Sequence, residues 1–397
     1  MGWIREIRDW SQLAWDDWRF RSRQPGPWRQ MILLDVPVAP IEELLMRWAG
    51  GSVWRGGPQL MPWHRPCPAL HHYRGDEPAS GMSGAERWPI ENGLLFWCGP
   101  IVDHFGHQLG EFGGRVLLAS LDPRPETLLF LHPEGERRLE DLTPWQQAWI
   151  RHLNPRRKPV LIRGGGFQAR KLVVIPQQQR LGCPPTPRHL LALNARGRCL
   201  KGNPIDEVVV LSRSRFAMGR DKTSLRGSVA GETAFDTWIA AQGAKIVHPE
   251  TLPFYEQLEL LQNARQLVVA EGSALHALEL ISRQTDKQVI VIARRPLWPG
   301  MDRPLRSRFP QLTWIDAVKE LHWLDPANPR VKGVAKLDWT RVVETLNACF
   351  GWQTTTADIT ALEDAANAQL AELHLKLPMQ QRICTEDDRR PLRTGGW

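Results

Sequence analysis

Between Asp206 and Ala293, short β-branched runs alternate with amphipathic stretches of ten to twelve residues, a rhythm that few folds permit. DEVVVL, AKIV, LVVA and QVIVIA read as strands. ETAFDTWIAAQG, PFYEQLELLQNA and SALHALELIS, which lie between them, read as helices. In the first of these, Phe235, Trp238 and Ile239 share a side and Gly243 stands as a C-cap. Pro253 occupies a first-turn position in the second. Strands joined through helices by short loops imply βαβ units and a parallel, doubly wound sheet, so the fold class is α/β.

The first half follows the same rhythm less regularly. MILLDV then PIEELLMRWAG, LLFWC then a helix over Asp103–Ser120, and TLLFL then TPWQQAWIRHL suggest a second α/β domain. RKLVVI near residue 172 adds a strand. The domains are expected at 1–180, 181–335 and 336–397, the last a helical extension with Ile359, Leu362, Ala366, Leu370 and Leu373 on one stripe. The N-terminal stretch places Trp3, Ile4, Ile7, Trp10, Leu13, Ala14 and Trp18 at helical spacing. It is expected to dock on the body, with membrane-surface contact as the alternative.

In an open parallel sheet, ligands bind beyond the carboxyl ends of the strands. After DEVVVL comes SRSR, with Arg213 and Arg215; after AKIV comes HPE, with Glu250; after LVVA comes EGSALH. Three polar clusters thus fall on one rim. Gly272 lets a ligand approach the backbone, and the amides of Ser273, Ala274 and Leu275 are expected at a helix N-terminus, where anions bind. Arg213 and Arg215 would add charge-assisted bonds. An ordinary N-cap at Ser273 and solvated arginines fit the same residues.

The segment DHFGHQLGEFGGR carries a second constellation. Phe105, Leu109, Phe112 and Val116 form an apolar stripe. On a helical wheel His104, His107, Glu111 and Arg115 then share an arc of roughly 80° away from it. His107 and Glu111 are i, i+4 neighbours, so a carboxylate can orient an imidazole. Gly110 and Gly114 flank that arc, where they allow another surface to come close. A plain polar helix face remains the competing reading.

The formal charge of +8 suits an anionic ligand without choosing one. The six cysteines form no CxxC, which points to a reducing, cytosolic compartment. HRPCPALHH (His64, Cys67, His71, His72) matches no standard zinc spacing, and no DxD pair suits a magnesium-bound diphosphate, so neither a metal nor another cofactor is expected. No apolar run approaches the ~20 residues of a membrane span.

GHQLGEF after an apolar strand, then VVVLSRSRF, GET and AKIVHPETLPFYEQLELLQNARQLVVAEGSALH, in that order, resemble glycosyltransferase family 61. Its bacterial members are often labelled capsular polysaccharide biosynthesis proteins. The likeness spans roughly residues 94–293 and is densest from Val208 to His276. It implies a GT-B architecture, two Rossmann-like domains facing a cleft, and an inverting, metal-independent transfer from a nucleotide-sugar donor to a glycan acceptor. By the same resemblance, Arg213 and Gly272-Ser273-Ala274 bind the donor diphosphate, and His107 and Glu111 match the family's His and acidic residue. Glu232 matches the acid of an Asn-Glu pair, with Gly231 in place of the Asn, and Ala277 stands where many relatives carry Asn.

Glu111 or His107 is then the general base, with the other orienting it. His276 and Glu250 are candidates for phosphate or nucleoside contacts. Two other classes remain open. A zinc-dependent hydrolase would use His104, His107 and Glu111. A non-catalytic basic module would bind polysaccharide or nucleic acid, although no nucleic-acid-binding motif is present.

Overall fold

The computed structural model of the chain describes residues 31–45, 53–59, 84–175, 177–179, 182, 184–215, 227–296, 301–324 and 333–385. The N-terminal helix expected over Trp3–Trp18 and the His64–His72 stretch lie outside these residues. Two compact units are formed. The first comprises Met1–Leu200, His276–Arg283 and Gly300–Arg308; the second comprises Lys201–Leu275, Gln284–Pro299 and Phe309–Trp397.

The first unit is built on β1 (Met31–Leu45), β2 (Val53–Pro58), β3 (Ile90–Pro100), β4 (Thr127–Leu131), β5 (Val160–Arg163) and β6 (Phe167–Val174). Their order in one sheet is β2-β1-β6-β3-β4-β5. The β6-β3-β4-β5 part is parallel, whereas β1 runs antiparallel to both β2 and β6. Alternate residues of the strands build its core, including Val36, Leu95, Trp97, Leu129, Leu172 and Val174.

Two expectations fail in this unit. PIEELL, read as the start of a helix, continues β1, because Leu44 and Leu45 pair with Trp54 and Val53. The left-handed Gly56 (φ 121°) gives this pairing room, since a side chain there would meet Pro40. The helix expected over Asp103–Ser120 breaks into α1 (Phe105–Gly110), a 3-10 turn (Phe112–Arg115) and α2 (Val116–Leu121). Glu111 at the break adopts φ −131°, ψ −63°. Gly113 and Gly114 hold the 3-10 turn against Trp149, Gln177 and Gln179, where side chains would not fit unless those neighbours moved. By contrast α3 (Pro144–Leu153) forms where expected, started by a Thr143–Gln146 capping box. α4 (Pro187–Gly197) completes the run, and α7 (Asp302–Arg306) is added from the returning chain.

The second unit is the more regular one. Here β7 (Ile205–Leu211), α5 (Glu232–Ala241), β8 (Lys245–Val247), α6 (Phe254–Asn263), β9 (Ala264–Ala270), β10 (Gln288–Ile292) and β11 (Gln311–Ile315) follow the expected alternation. The sheet order is β11-β10-β9-β7-β8, and every pairing is parallel. Counted from the unit's first strand this is the 2-1-3-4-5 order, whose switch point lies between β7 and β9. Both sheet faces are buried: Val208, Val210 and Val268 join the main core, while Val209, Leu267 and Val269 are buried on the other side.

The chain after β11 adds a three-stranded antiparallel sheet of β12 (Val318–Trp323), β13 (Val334–Leu337) and β14 (Gln380–Ile383), the last of them within the stretch expected to be helical. α8 (Trp339–Phe350) and α9 (Thr356–Lys376) lie between β13 and β14. Leu362, Ala366 and Leu370 of α9 are buried in the same core as the β7–β9 strands, with Ile359 and Leu373 packed at its margin. Among the described residues no helix is long and apolar enough to cross a membrane.

Buried histidines make this fold acid-sensitive. Burial pushes His152 down to about 4 and His189 down to about 3, with Arg196 and Arg308 respectively adding to the effect. Both imidazoles are neutral in the folded chain and protonate near pH 6.5 once unfolded. Their stabilisation is therefore complete above pH 6.5 and is lost as pH falls from there toward 4 and 3. At ~1.4 kcal/mol per pH unit, each contributes up to about 3–5 kcal/mol across that window. The urea midpoint should accordingly drop steeply between pH 7 and pH 4.5; a flat profile contradicts the buried, neutral assignment.

Candidate active site

In the first unit, the end of β3 is tied down by Gln108, whose Oε1 accepts the Val102 N–H at 2.8 Å. His104 then caps α1, its Nδ1 accepting the His107 N–H at 3.3 Å. An accepting Nδ1 carries no proton, so the neutral ring holds its proton on Nε2 and presents a donor there. Burial, with the His107 and His276 rings nearby, takes His104 down to about 4, which keeps it neutral at ordinary pH.

One turn further on, His107 Nδ1 lies 3.0 Å from Glu111 Oε2. The His107 side chain is only 3% exposed and that of Glu111 is 0% exposed, so the competing reading of a plain polar surface fails. The carboxylate fixes the proton on Nδ1 and leaves Nε2 as the basic atom. Arg115, expected on the same arc, is turned away by the break at Glu111 and donates from Nε to the Ile175 carbonyl at 2.9 Å.

The bare face of α1 explains its glycines. A Cβ on Gly106 would lie 2.9 Å from His276 Cδ2, and one on Gly110 would collide with His276 Nδ1. His276 itself pairs with Glu279 Oε1 at 2.6 Å, and both side chains are buried. The expected ribose or phosphate contact of His276 thus gives way to packing on α1. Gly114 receives Gln177, which also donates to the Glu111 carbonyl. Among the described residues, no three His, Cys, Asp or Glu side chains are placed to hold a metal ion.

In the second unit, the loop after β7 is anchored to α5. Ser212 and Ser214 both donate to Asp236 Oδ2 at 2.7 Å, and the Arg213 N–H donates to Glu232 Oε1 at 2.8 Å. The Arg213 guanidinium lies against Gly272: a Cβ there would be 2.5 Å from Nη1. Gly272 is outside the left-handed region, so the approach of Arg213, rather than backbone conformation, calls for glycine. Burial lowers the Arg213 pKa; Glu232, Glu250 and Glu271 counteract this and Arg295 reinforces it. Glu232 is pushed up to about 7 by burial, with Asp236 and Glu250 adding and Arg213 opposing.

The segment after β9 differs from expectation. Ser273–Glu279 winds as a seven-residue 3-10 helix rather than an α-helix. The Leu275 amide already donates to the Gly272 carbonyl at 3.1 Å and its side chain is buried, which removes Leu275 as an anion donor. Gly272, Ser273 and Ala274 remain partly exposed. Glu250 is exposed on the 3-10 turn Pro249–Thr251, within the electrostatic reach of Arg213. Arg215 is exposed. Behind this rim lies a small pocket lined by Ser212, Glu232 and Asp236 and by apolar residues such as Val210, Phe235 and Trp339. Asp236 Oδ1 is buried there with no hydrogen-bond partner among the described residues.

Three residues of this rim escaped the sequence reading. Glu271 accepts from Arg295 Nε at 2.6 Å, and its carbonyl accepts from Arg294 Nε at 2.6 Å. The signal was present, since ARR directly follows QVIVI and the rule about strand ends applies to β10 as it does to β7.

Compared with known families, residues 92–287 match the model described as Glycosyltransferase 61. No curated protein matches the chain.

Proposed function

Because residues 92–287 belong to glycosyltransferase family 61, we propose that the chain moves a sugar from a nucleotide-sugar donor to a hydroxyl of a glycan or polysaccharide acceptor, with inversion and without a metal. Glycosyl transfer to a glycan acceptor is what the family indicates; the donor class, stereochemistry and metal independence are our reading. The observation that supports it most is the Arg213 guanidinium held against Gly272 beside the β7/β9 switch point.

In this reading the acceptor oxygen bonds to the anomeric carbon as the bond from that carbon to the diphosphate oxygen breaks. His107 Nε2 takes the hydroxyl proton, and Glu111 holds the ring and stabilises the resulting imidazolium. This assigns the two roles left open by the sequence, because a fully buried Glu111 already bonded to His107 suits the orienting part. His104 donates from Nε2 to a substrate oxygen. Negative charge growing on the leaving diphosphate is met by Arg213 and the amides of Gly272 to Ala274. A GT-B architecture, as the family resemblance implies, belongs to the same proposal. A reducing, cytosolic setting belongs to the same proposal, in keeping with Cys98, Cys199 and Cys349, which form no disulfide among the described residues.

Thermal-shift screening against UDP-, GDP-, dTDP- and CMP-sugars tests the donor class. A true donor at about 100 times its dissociation constant stabilises the fold by ~2.7 kcal/mol. If no nucleotide sugar shifts the transition of a protein that does bind isolated glycan, the transferase reading gives way to the non-catalytic binding module.

A further inference from the structure

We propose that Arg294 is an additional anion-binding residue of the β7/β9 rim, its guanidinium held by Glu271 toward the same phosphate-bearing ligand that Arg213 meets. The inference rests on the donor reading above and adds to it a residue that neither the motifs nor the family likeness assigned.

Register places Arg294 beside that ligand's expected position. Ile292 pairs with Ala270 across β10 and β9, so two residues further on Arg294 is level with Gly272. Leu211 pairs with Val269 across β7 and β9, which sets Arg213 level with Glu271. Arg213 and Arg294 therefore leave the two strands that flank β9, at nearly the same height. Both act electrostatically on one another's surroundings, sharing Glu271, Glu232 and Arg295 as charged neighbours.

The anchoring of Arg294 is unequal along its length. Its backbone N–H donates to Glu271 Oε2 at 3.3 Å and its Nε to the Glu271 carbonyl at 2.6 Å. No hydrogen bond involves Nη1 or Nη2 among the described residues, although the residue is only 7% exposed. The guanidinium head is backed by Gly227, where a Cβ would collide with Nη1. Gly227 is left-handed (φ 69°), so both its conformation and this contact exclude a side chain. A guanidinium gripped at Nε and presenting its two outer nitrogens has the geometry of a bidentate phosphate fork.

Burial lowers Arg294 to about 9, with Arg295 and Arg213 adding to the effect and Glu271 and Glu232 opposing it.

Isothermal titration with inorganic pyrophosphate, and separately with orthophosphate, tests the assignment on wild-type protein, Arg294→Gln, Arg294→Lys and Gly227→Ala. Pyrophosphate should bind the wild type, and Arg294→Gln should weaken it about 10- to 100-fold, the range expected for charged hydrogen bonds. Lysine keeps the charge without the fork and should fall between the two. Gly227→Ala changes no charge yet displaces the guanidinium, so it should weaken binding as Arg294→Gln does. It also provides the measurement if Arg294→Gln fails to fold, which melting without ligand reveals. Wild-type affinity in a folded Arg294→Gln or Gly227→Ala variant overturns the Arg294 assignment alone, provided Arg213→Ala loses binding. A wild-type protein that binds neither pyrophosphate nor any nucleoside-diphosphate sugar overturns the donor reading together with it.

Discussion

Replacing His107 with glutamine should lower the turnover of glycosyl transfer about 10²- to 10⁴-fold, the contribution typical of a positioned general base. Donor binding should change little, since the Arg213–Gly272 rim belongs to other elements. The assignment to His107 follows from hydrogen-bond direction. His104 accepts at Nδ1 and so has only a donor left at Nε2. His107 gives its Nδ1 to Glu111 and keeps a lone pair at Nε2. Of the two adjacent imidazoles, whose centroids are 4.6 Å apart, only His107 is therefore set up to take a proton. Glu111→Gln sharpens the test. Without the carboxylate the ring loses its orientation and the imidazolium its partner, so kcat should fall while donor affinity is kept. A purely structural Glu111 would lower folding stability and leave kcat of the folded protein in place. Unchanged turnover in folded His107→Gln removes His107 as the base.

The second unit was the more legible half, and the reason is local. Its strands carry uninterrupted β-branched runs, and its helices end at Gly243 or begin at Pro253, so period and punctuation agree. The break at Glu111 had no such signal. Phe112 and Val116 continue the apolar stripe of α1, and the kink comes from what Gly113 and Gly114 pack against, namely Trp149 and Gln177 from distant segments. The 3-10 winding of Ser273–Glu279 was equally hidden, since helical periodicity over seven residues does not separate the two helix types. The Gly106–Gly110 shelf was half legible: Gly110 suggested a close approach, but not that His276 makes it.

Gly231, where the family resemblance implies Asn, has a role that can be read physically. It stands at φ 80°, ψ 8° as the N-cap of α5, in the left-handed region that asparagine tolerates best after glycine. Its amide donates to Gln369 at 2.8 Å, and its missing side chain leaves room for Ala366 of α9. A left-handed residue at this position keeps the backbone turn that delivers Glu232 to the Arg213 amide.

Arg213→Ala should weaken donor binding about 10²- to 10⁴-fold, the largest effect expected on affinity, and should lower turnover as well. The first part follows from charge. Two charge-assisted bonds of ~1.5–3 kcal/mol each are lost, and Glu232, Glu250 and Glu271 are left with less counter-charge facing an incoming anion. The second part follows from timing, because charge accumulates on the departing diphosphate as the sugar–oxygen bond breaks. A guanidinium at that place then stabilises the transition state more than bound donor, and its loss appears in kcat as well as KM. Arg213→Lys separates charge from geometry: it retains a cation but cannot offer two parallel N–H bonds, so affinity should recover only in part. The pattern is opposite to that of His107→Gln, which spares affinity. Calorimetry for Kd and initial rates for kcat distinguish them. If Arg213→Ala binds the donor as wild type while His107→Gln still abolishes turnover, the diphosphate does not lie against Gly272, and the leaving group must be held by residues other than those after β7 and β9.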